Sequence, residues 1–141
     1  MTISVRIVSQ DDESLLMNAA DGVFDSQPDM QLTRQFIQDQ HQHMAIAVEQ
    51  RVVIGMASAI HYSHPDKAPA MWVNEVGVCK AFRRQGIARQ LLACLFKHAK
   101  TLGCHEAWVA TEIDNKAARG LYRKQQGVEE SVVIYTFPLE N

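Results

Sequence analysis

The chain lacks most of what would tie it to a membrane, an oxidising compartment or a structural metal. No apolar run approaches the roughly 20 residues that cross a bilayer, and Met1-Thr2-Ile3-Ser4-Val5-Arg6 does not have the pattern of a secretory leader. The three cysteines, Cys79, Cys94 and Cys104, are odd in number and show no C-x-x-C spacing, which argues against a disulfide framework and a zinc site. They read as reduced thiols, Cys94 on an apolar helix face, and the expectation is a cytoplasmic protein with no metal. Internal repeats and low-complexity segments are absent too. The most telling absence is local. From Val76 to His105 there is no Asp or Glu, yet the stretch carries six bases: Lys80, Arg83, Arg84, Arg89, Lys97 and Lys100.

A length of 141 residues and 47% hydrophobic composition suit one domain, residues 1–141, with a sizeable core. Lys and Arg number 14 against 16 Asp and Glu, net −2, so the molecule as a whole does not attract nucleic acid. The sign is unevenly spread. Residues 1–75 hold ten acids against four bases, and residues 106–141 hold six against four. Positive charge confined to one loop and helix suits a small phosphorylated ligand, whereas a polyanion needs a basic face.

Ile3, Val5 and Ile7 alternate with polar neighbours as a first strand does. Asp11-Asp12-Glu13 places acids on the first turn of a helix carrying Leu15, Leu16 and Ala19, which suits the helix dipole. Asp21 to Asp29 breaks that helix, and a second follows from about Met30 to Gln40. Met44–Glu49 and Val52–Tyr62 read as strands joined by the turn Gln50-Arg51, with Gly55 marking a bulge. After a loop from Ser63 to Ala70 comes the strand Met71–Cys79, with Gly77 inside it, a residue that lets another backbone approach. Ile87, Leu91, Leu92, Leu95, Phe96, Ala99 and Leu102 recur at helical spacing, and Gly103 caps that helix. Glu106–Thr111 is a buried-looking strand. A short helix begins near Asp114 or Asn115, and Val132–Phe137 is the last strand. The order β-α-α-β-β-β-α-β-α-β is a mixed α/β layer fold.

The joint between Cys79 and Leu91 is the most informative stretch. A helix N-terminus with free N–H groups, flanked by Arg83, Arg84 and Arg89, is suited to phosphates. Arg83-Arg84-Gln85-Gly86-Ile87-Ala88 resembles the (Arg/Gln)-x-x-Gly-x-(Gly/Ala) signature of the GCN5-related N-acetyltransferases. Asn115-Lys116-Ala117-Ala118-Arg119-Gly120-Leu121-Tyr122 resembles that family's second acetyl-CoA element. The close resemblance covers Met71 to Gly127. It implies a mostly antiparallel sheet splayed between strands 4 and 5, and acetyl-CoA as co-substrate. The pyrophosphate would lie on Arg83, Arg84, Gln85, Gly86, Ile87, Ala88 and Arg89. The pantetheine arm would lie along Val76, Gly77 and Val78, with Gly77 giving it room, and against Asn115, Ala118 and Tyr122. Lys124 is assigned to the 3′-phosphate. A Tyr-x-x-x-Gly ending is usual, whereas Gly127 here stands five residues after Tyr122.

Amide formation needs a held thioester, a deprotonated amine and a proton for the departing thiolate. The resemblance makes Tyr122 the proton donor. Glu75, on the same strand face as Gly77, is the candidate base or charge anchor, and His61 and His64 could serve in its place. The expected acceptor is a small cationic primary amine, aminoglycoside-like or polyamine-like, since Asp21, Asp25 and Asp29 fall in the loop that walls the acceptor site in this family. Part of the sequence is similar to the aminoglycoside 3-N-acetyltransferase branch. A protein N-terminal or lysine acetyltransferase is an alternative, as is a silent acyl-CoA-binding regulatory domain, which would need neither Tyr122 nor Glu75. The expected partners are thus a small-molecule amine and, in a homodimer, a second copy, with neither nucleic acid nor membrane.

Overall fold

Small side chains decide how the two layers meet. The computed structural model describes residues 2–140. Its sheet runs in the order β1 (Ser4–Ile7), β2 (Gln42–Glu49), β3 (Val52–Tyr62), β4 (Ala70–Val78), β5 (Glu106–Val109); the first four are antiparallel, and β5 is parallel to β4. On β2 and β3, Ala45 pairs with Ala57 and Ala47 with Gly55, and all four are buried. This face lies under the long helix α3 (Ile87–Thr101), whose Ile87, Leu91, Leu92, Leu95 and Ala99 are buried against it. The fit is close. A Cβ on Gly55 would stand 3.2 Å from Leu91 Cδ1 and 3.3 Å from Ile87 Cγ2. By alternation, the larger Met44, Ile46, Ile54 and Met56 face the opposite layer, which holds α1 (Glu13–Leu16), α2 (Met30–Gln38) and the loop between them.

Gln50 and Arg51 take φ of 49° and 64°, the left-handed pair of a two-residue hairpin turn. The bulge expected at Gly55 falls next to it. Ala47 opposes Gly55 while Val48 opposes Val53, so Ile54 is the extra residue. The first helix is shorter than its sequence suggests and stops at Leu16. Beyond Val78 the chain leaves β3, and residues 18–20 take its place: Val53 N–H donates to Asn18 O, and Ala20 N–H donates to Val53 O. That strand-like bridge at Ala19 draws the residue out of the helix. The acids before α1 do more than face its dipole. Asp12 reaches back to the Ser9 N–H and forms a two-pronged pair with Arg6, at 2.6 and 2.7 Å. The Arg6 guanidinium holds the Asp12 carboxyl below its ordinary range.

Two expected strands differ. The segment Glu106–Thr111 is a strand only to Val109, and Glu106, Ala107 and Trp108 are exposed, because β5 is an edge strand with a neighbour on one side. Val132–Phe137 forms no strand: an alternating sequence becomes a strand only where another strand meets its N–H and C=O groups, and among the described residues none does. The observed order therefore ends β-α, at α4 (Lys116–Lys124). Among the described residues, no helix is long and apolar enough to cross a membrane.

Candidate active site

The sheet opens where β4 and β5 part. β5 pairs only with Ala70–Val73. At that point β4 gains a residue: Val73 opposes Ala59 and Glu75 opposes Ser58, leaving Asn74 without a partner on β3. Such a bulge resets the alternation. Glu75 and Gly77 therefore share the face turned away from α3, and the edge of Val76, Gly77 and Val78 that would face β5 has no strand beside it. Gly77 does admit another backbone, but that backbone belongs to this chain. A Cβ there would stand far inside van der Waals contact distance of the Val23 carbonyl oxygen. The expectation that Gly77 leaves room for a ligand on this face is corrected accordingly; the strand edge stays open, and the α1–α2 loop fills the face.

The basic loop follows directly. Arg83 Nε donates to the Val78 carbonyl at 3.0 Å, tying the loop to the end of β4. Arg84 and Gly86 both have left-handed backbones, φ 64° and 77°. Gly86 is the N-cap of α3 and no side chain caps the helix, so the N–H groups of Ile87, Ala88 and Arg89 are left for an outside acceptor. Nothing stands within 4 Å of where a Gly86 Cβ would be. Arg84 and Gln85 are exposed. Arg89 Nε donates to Gln125 Oε1 at 3.0 Å, joining α3 to the end of α4. Together with Gly86, Gln90 and Ala93, these two residues line an open hollow of about 390 Å³. Gln125 carries no sequence signal. It becomes a site residue only because the two helices meet.

On α4, Asn115 Oδ1 accepts from the Ala118 N–H at 3.1 Å, so its carbonyl caps the helix and its amide nitrogen is left for other partners. Tyr122 is half-buried, and burial pushes its phenol pKa up, which keeps it in the donating form. The displaced glycine also has an explanation. Gln126 N–H donates to Arg123 O and Gly127 N–H to Tyr122 O, with Gln126 at φ 66°; this is a Schellman cap in which glutamine holds the left-handed place. Lys124, in the last turn, is exposed. A family model described as the acetyltransferase (GNAT) family matches residues 12–128, which include every one of these positions. The chain belongs to the acetyltransferase (GNAT) family. It is 27% identical over 105 residues to the aminoglycoside N(6′)-acetyltransferase type 1 of Salmonella typhimurium strain LT2, covering 72% of each chain. In fold it is similar to the aminoglycoside acetyltransferase meta-AAC0020 from an uncultured soil metagenomic sample, solved with sisomicin (TM-score 0.86, 16% identity, 98% and 97% of the two chains). It is also similar to AAC(6′)-Iy solved with the bisubstrate analogue CoA-S-monomethyl-acetylneamine (TM-score 0.81, 22% identity, 98% and 99% of the two chains). Where these names state a position on the aminoglycoside, it is 6′ and not 3.

In this GNAT enzyme, the sheet face turned away from α3 gathers acids and aromatics. Glu75 is exposed, and no cation stands within ion-pair distance of it among the described residues. Asp21 and Asp25 flank Val23, whose carbonyl rests against Gly77, and both are exposed. Asp29 is otherwise engaged: its carboxylate caps α2 through the Leu32 N–H. Sequence reading missed the aromatic group beside them. Trp72 stacks on Trp108 at 5.6 Å, and Trp108 Nε1 donates to Tyr62 Oη at 2.6 Å. His61 does not join this face. It pairs with Met71 on the α3 side and hydrogen-bonds His43 at 2.7 Å, so it is no substitute for Glu75. His64 turns to the Ala68 carbonyl within its own loop. The thiols of Cys94 and Cys104 are pushed up by burial and are poor nucleophiles.

Proposed function

We propose that residues 1–141 act as one domain that transfers an acetyl group from acetyl-CoA directly to a primary amine of a small cationic acceptor, an aminoglycoside-like molecule first and a polyamine-like one second. The carrying observation is the open β4 edge at Val76–Val78 running straight into the uncapped N-terminus of α3. An extended pantetheine arm would add to that edge as a further strand. Its pyrophosphate would meet the N–H groups of Ile87, Ala88 and Arg89, with Arg84 adding charge and Gly86 leaving the approach clear. Asn115 and Ala118 would flank the arm, and Lys124 would take the 3′-phosphate.

In the chemical step the amine lone pair attacks the thioester carbon, and the C–S bond breaks as the amide forms. Tyr122 gives its proton to the leaving thiolate and recovers one from solvent. An ordinary carboxylate is too weak a base to strip an ammonium outright, so the fraction of acceptor already in the free-amine form attacks, and the proton its nitrogen sheds as the amide forms passes to solvent through water held by Glu75. Glu75, Asp21 and Asp25 supply the negative surface that a cationic acceptor needs. The sisomicin and acetylneamine moieties held by the two similar structures support an aminoglycoside-like amine. The test is thiol release from acetyl-CoA across a panel of amines. Turnover with aminoglycosides or polyamines is expected. Acetyl-CoA binding with no turnover on any amine, protein N-termini included, would overturn the enzymatic reading in favour of a binding domain.

A further inference from the structure

Exposed aromatic area gathers on the sheet face that carries Glu75, and it is braced. Trp72 on β4 and Trp108 on β5 are register partners and stand on the face turned away from α3. Their rings stack at 5.6 Å with 15° between the planes, yet they stay 37% and 45% exposed. The pair is held from the side. Trp108 Nε1 donates to Tyr62 Oη at 2.6 Å, Tyr62 meets the His64 ring edge-on at 5.3 Å, and His64 is tied to the Ala68 carbonyl at 3.1 Å. The rings are thus fixed before any ligand arrives, which lowers the cost of binding one. A contiguous apolar patch rimmed by polar groups is the kind of surface that marks an interaction site.

What lies on this surface must suit two chemistries at once. Trp72 and Glu75 are three residues apart on β4, about 10 Å along the strand, and the bulge at Asn74 brings both side chains to one face. The carboxylate calls for a cation. An indole face is negative at its centre and takes a cation, or the positively polarised C–H face of a ring that carries oxygen and ammonium substituents. A linear polyamine has the charge but no ring face. We propose that the Trp72–Trp108 pair seats a second ring of the acceptor, so that the preferred substrate is an amino sugar of at least two linked rings. The ring bearing the reacting amine lies by Glu75, and its neighbour lies on the indoles. Tyr62, whose own O–H has no acceptor among the described residues, is placed to donate to a hydroxyl of that second ring. The proposal rests on the acetyl-transfer reading and narrows its acceptor from a cationic amine to a glycoside. The two tryptophans are specificity residues and do not touch the reacting atoms.

Trp72 and Trp108 are the two tryptophans of the chain, so intrinsic tryptophan fluorescence reports on this surface alone. The whole protein is titrated with sisomicin in the presence of CoA, and kcat and KM are measured with acetyl-CoA for sisomicin, the one-ring glucosamine and the ringless spermine. A saturable fluorescence change with sisomicin is expected. Trp108→Ala should raise the sisomicin KM by roughly tenfold or more, the scale of a truncated aromatic anchor. The fall in kcat should be much smaller, since a contact made equally in ground and transition states moves KM. Glucosamine and spermine, with no second ring to place there, should show a much smaller rise. Trp108→Phe restores a ring and should recover most of the loss, and calorimetric acetyl-CoA affinity verifies that each variant is folded. A sisomicin KM indifferent to Trp108→Ala, or an equal rise for all three amines, would overturn the proposal. So would a fluorescence signal that sisomicin leaves unchanged, the result if another part of the protein covers the indoles. Should no amine be acetylated, the acetyl-transfer reading fails by itself, and the titration then decides the aromatic seat: a saturable change upholds it and no change removes it.

Discussion

Tyr122 and Gly77 are opposite cases of what a single residue can disclose. Tyr122 was legible as a candidate because it follows Asn115 by two helical turns within a recognisable stretch, and its half-buried, protonated phenol suits a proton donor. Tyr122→Phe should leave acetyl-CoA affinity nearly unchanged while lowering turnover by roughly 10²-fold, the usual scale for a lost general acid. Calorimetric binding beside steady-state rates checks this; an equal fall in both would make Tyr122 a packing residue. Gly77 was visibly odd in a strand, but its reason lay with Val23, a contact that no local pattern encodes. Gly77→Ala should therefore destabilise the fold, by about 1–3 kcal/mol as overpacking does, even with no ligand present. Denaturant unfolding of the free protein reads that directly. Gln125 was illegible for the same reason, since its value comes from meeting Arg89 on another helix.

Elements were legible where neighbours in sequence decide them. The hairpin of β2 and β3, the apolar stripe of α3 and the basic loop all follow from local spacing. The early stop of α1 does not, because residues 18–20 are recruited by a strand end that only the assembled sheet exposes. Histidines illustrate the same limit. His98 on α3, His43 on β2 and His61 on β3 form a hydrogen-bonded chain at 3.1 and 2.7 Å, with His41 packed against His61. Burial, then the nearby His98, His61 and His41, push the His43 pKa down to about 4 from 6.5, against a smaller opposing pull from Asp39. His61 and His98 are shifted the same way, chiefly by burial. A histidine kept neutral in the fold but free to charge when unfolded stabilises above its unfolded pKa. That stability is lost as pH falls. Melting midpoints should thus decline as pH is lowered from about 6.5 toward 4, and His43→Gln should flatten the decline. A wild-type midpoint constant across that window would remove the histidine chain from the stability of the fold.

At the scale of the whole molecule, charge says more than shape. Acids and bases nearly cancel, yet the acid-free stretch runs from the end of β4 through α3, while Glu75 lies on the sheet face turned away from α3 and Asp21 and Asp25 on the loop packed against that face. A cationic acceptor should accordingly be favoured over a neutral amine at low salt, and the preference should shrink as the Debye length falls from about 30 Å at 0.01 M to about 8 Å at 0.15 M. Ratios of kcat/KM for a polycationic and a neutral amine across that range measure it, and a salt-independent ratio would detach the acids from acceptor binding. Most of the architecture could be read from the sequence. The unpaired Val132–Phe137 could not, because an alternating run becomes a strand only where another strand meets its N–H and C=O groups, which local sequence does not encode.

The seat of Val23 on Gly77 carries one more consequence. The loop holding Asp21 and Asp25 is keyed, backbone to backbone, onto the strand whose open edge is the proposed seat of the pantetheine arm. On that proposal, a shift of either wall is passed to the other through this contact. The two binding equilibria should then be linked, and linkage is reciprocal: whatever factor acetyl-CoA imposes on acceptor affinity, the acceptor must impose on acetyl-CoA. Calorimetric titrations in both orders, with CoA as an unreactive stand-in, should return one coupling factor different from unity.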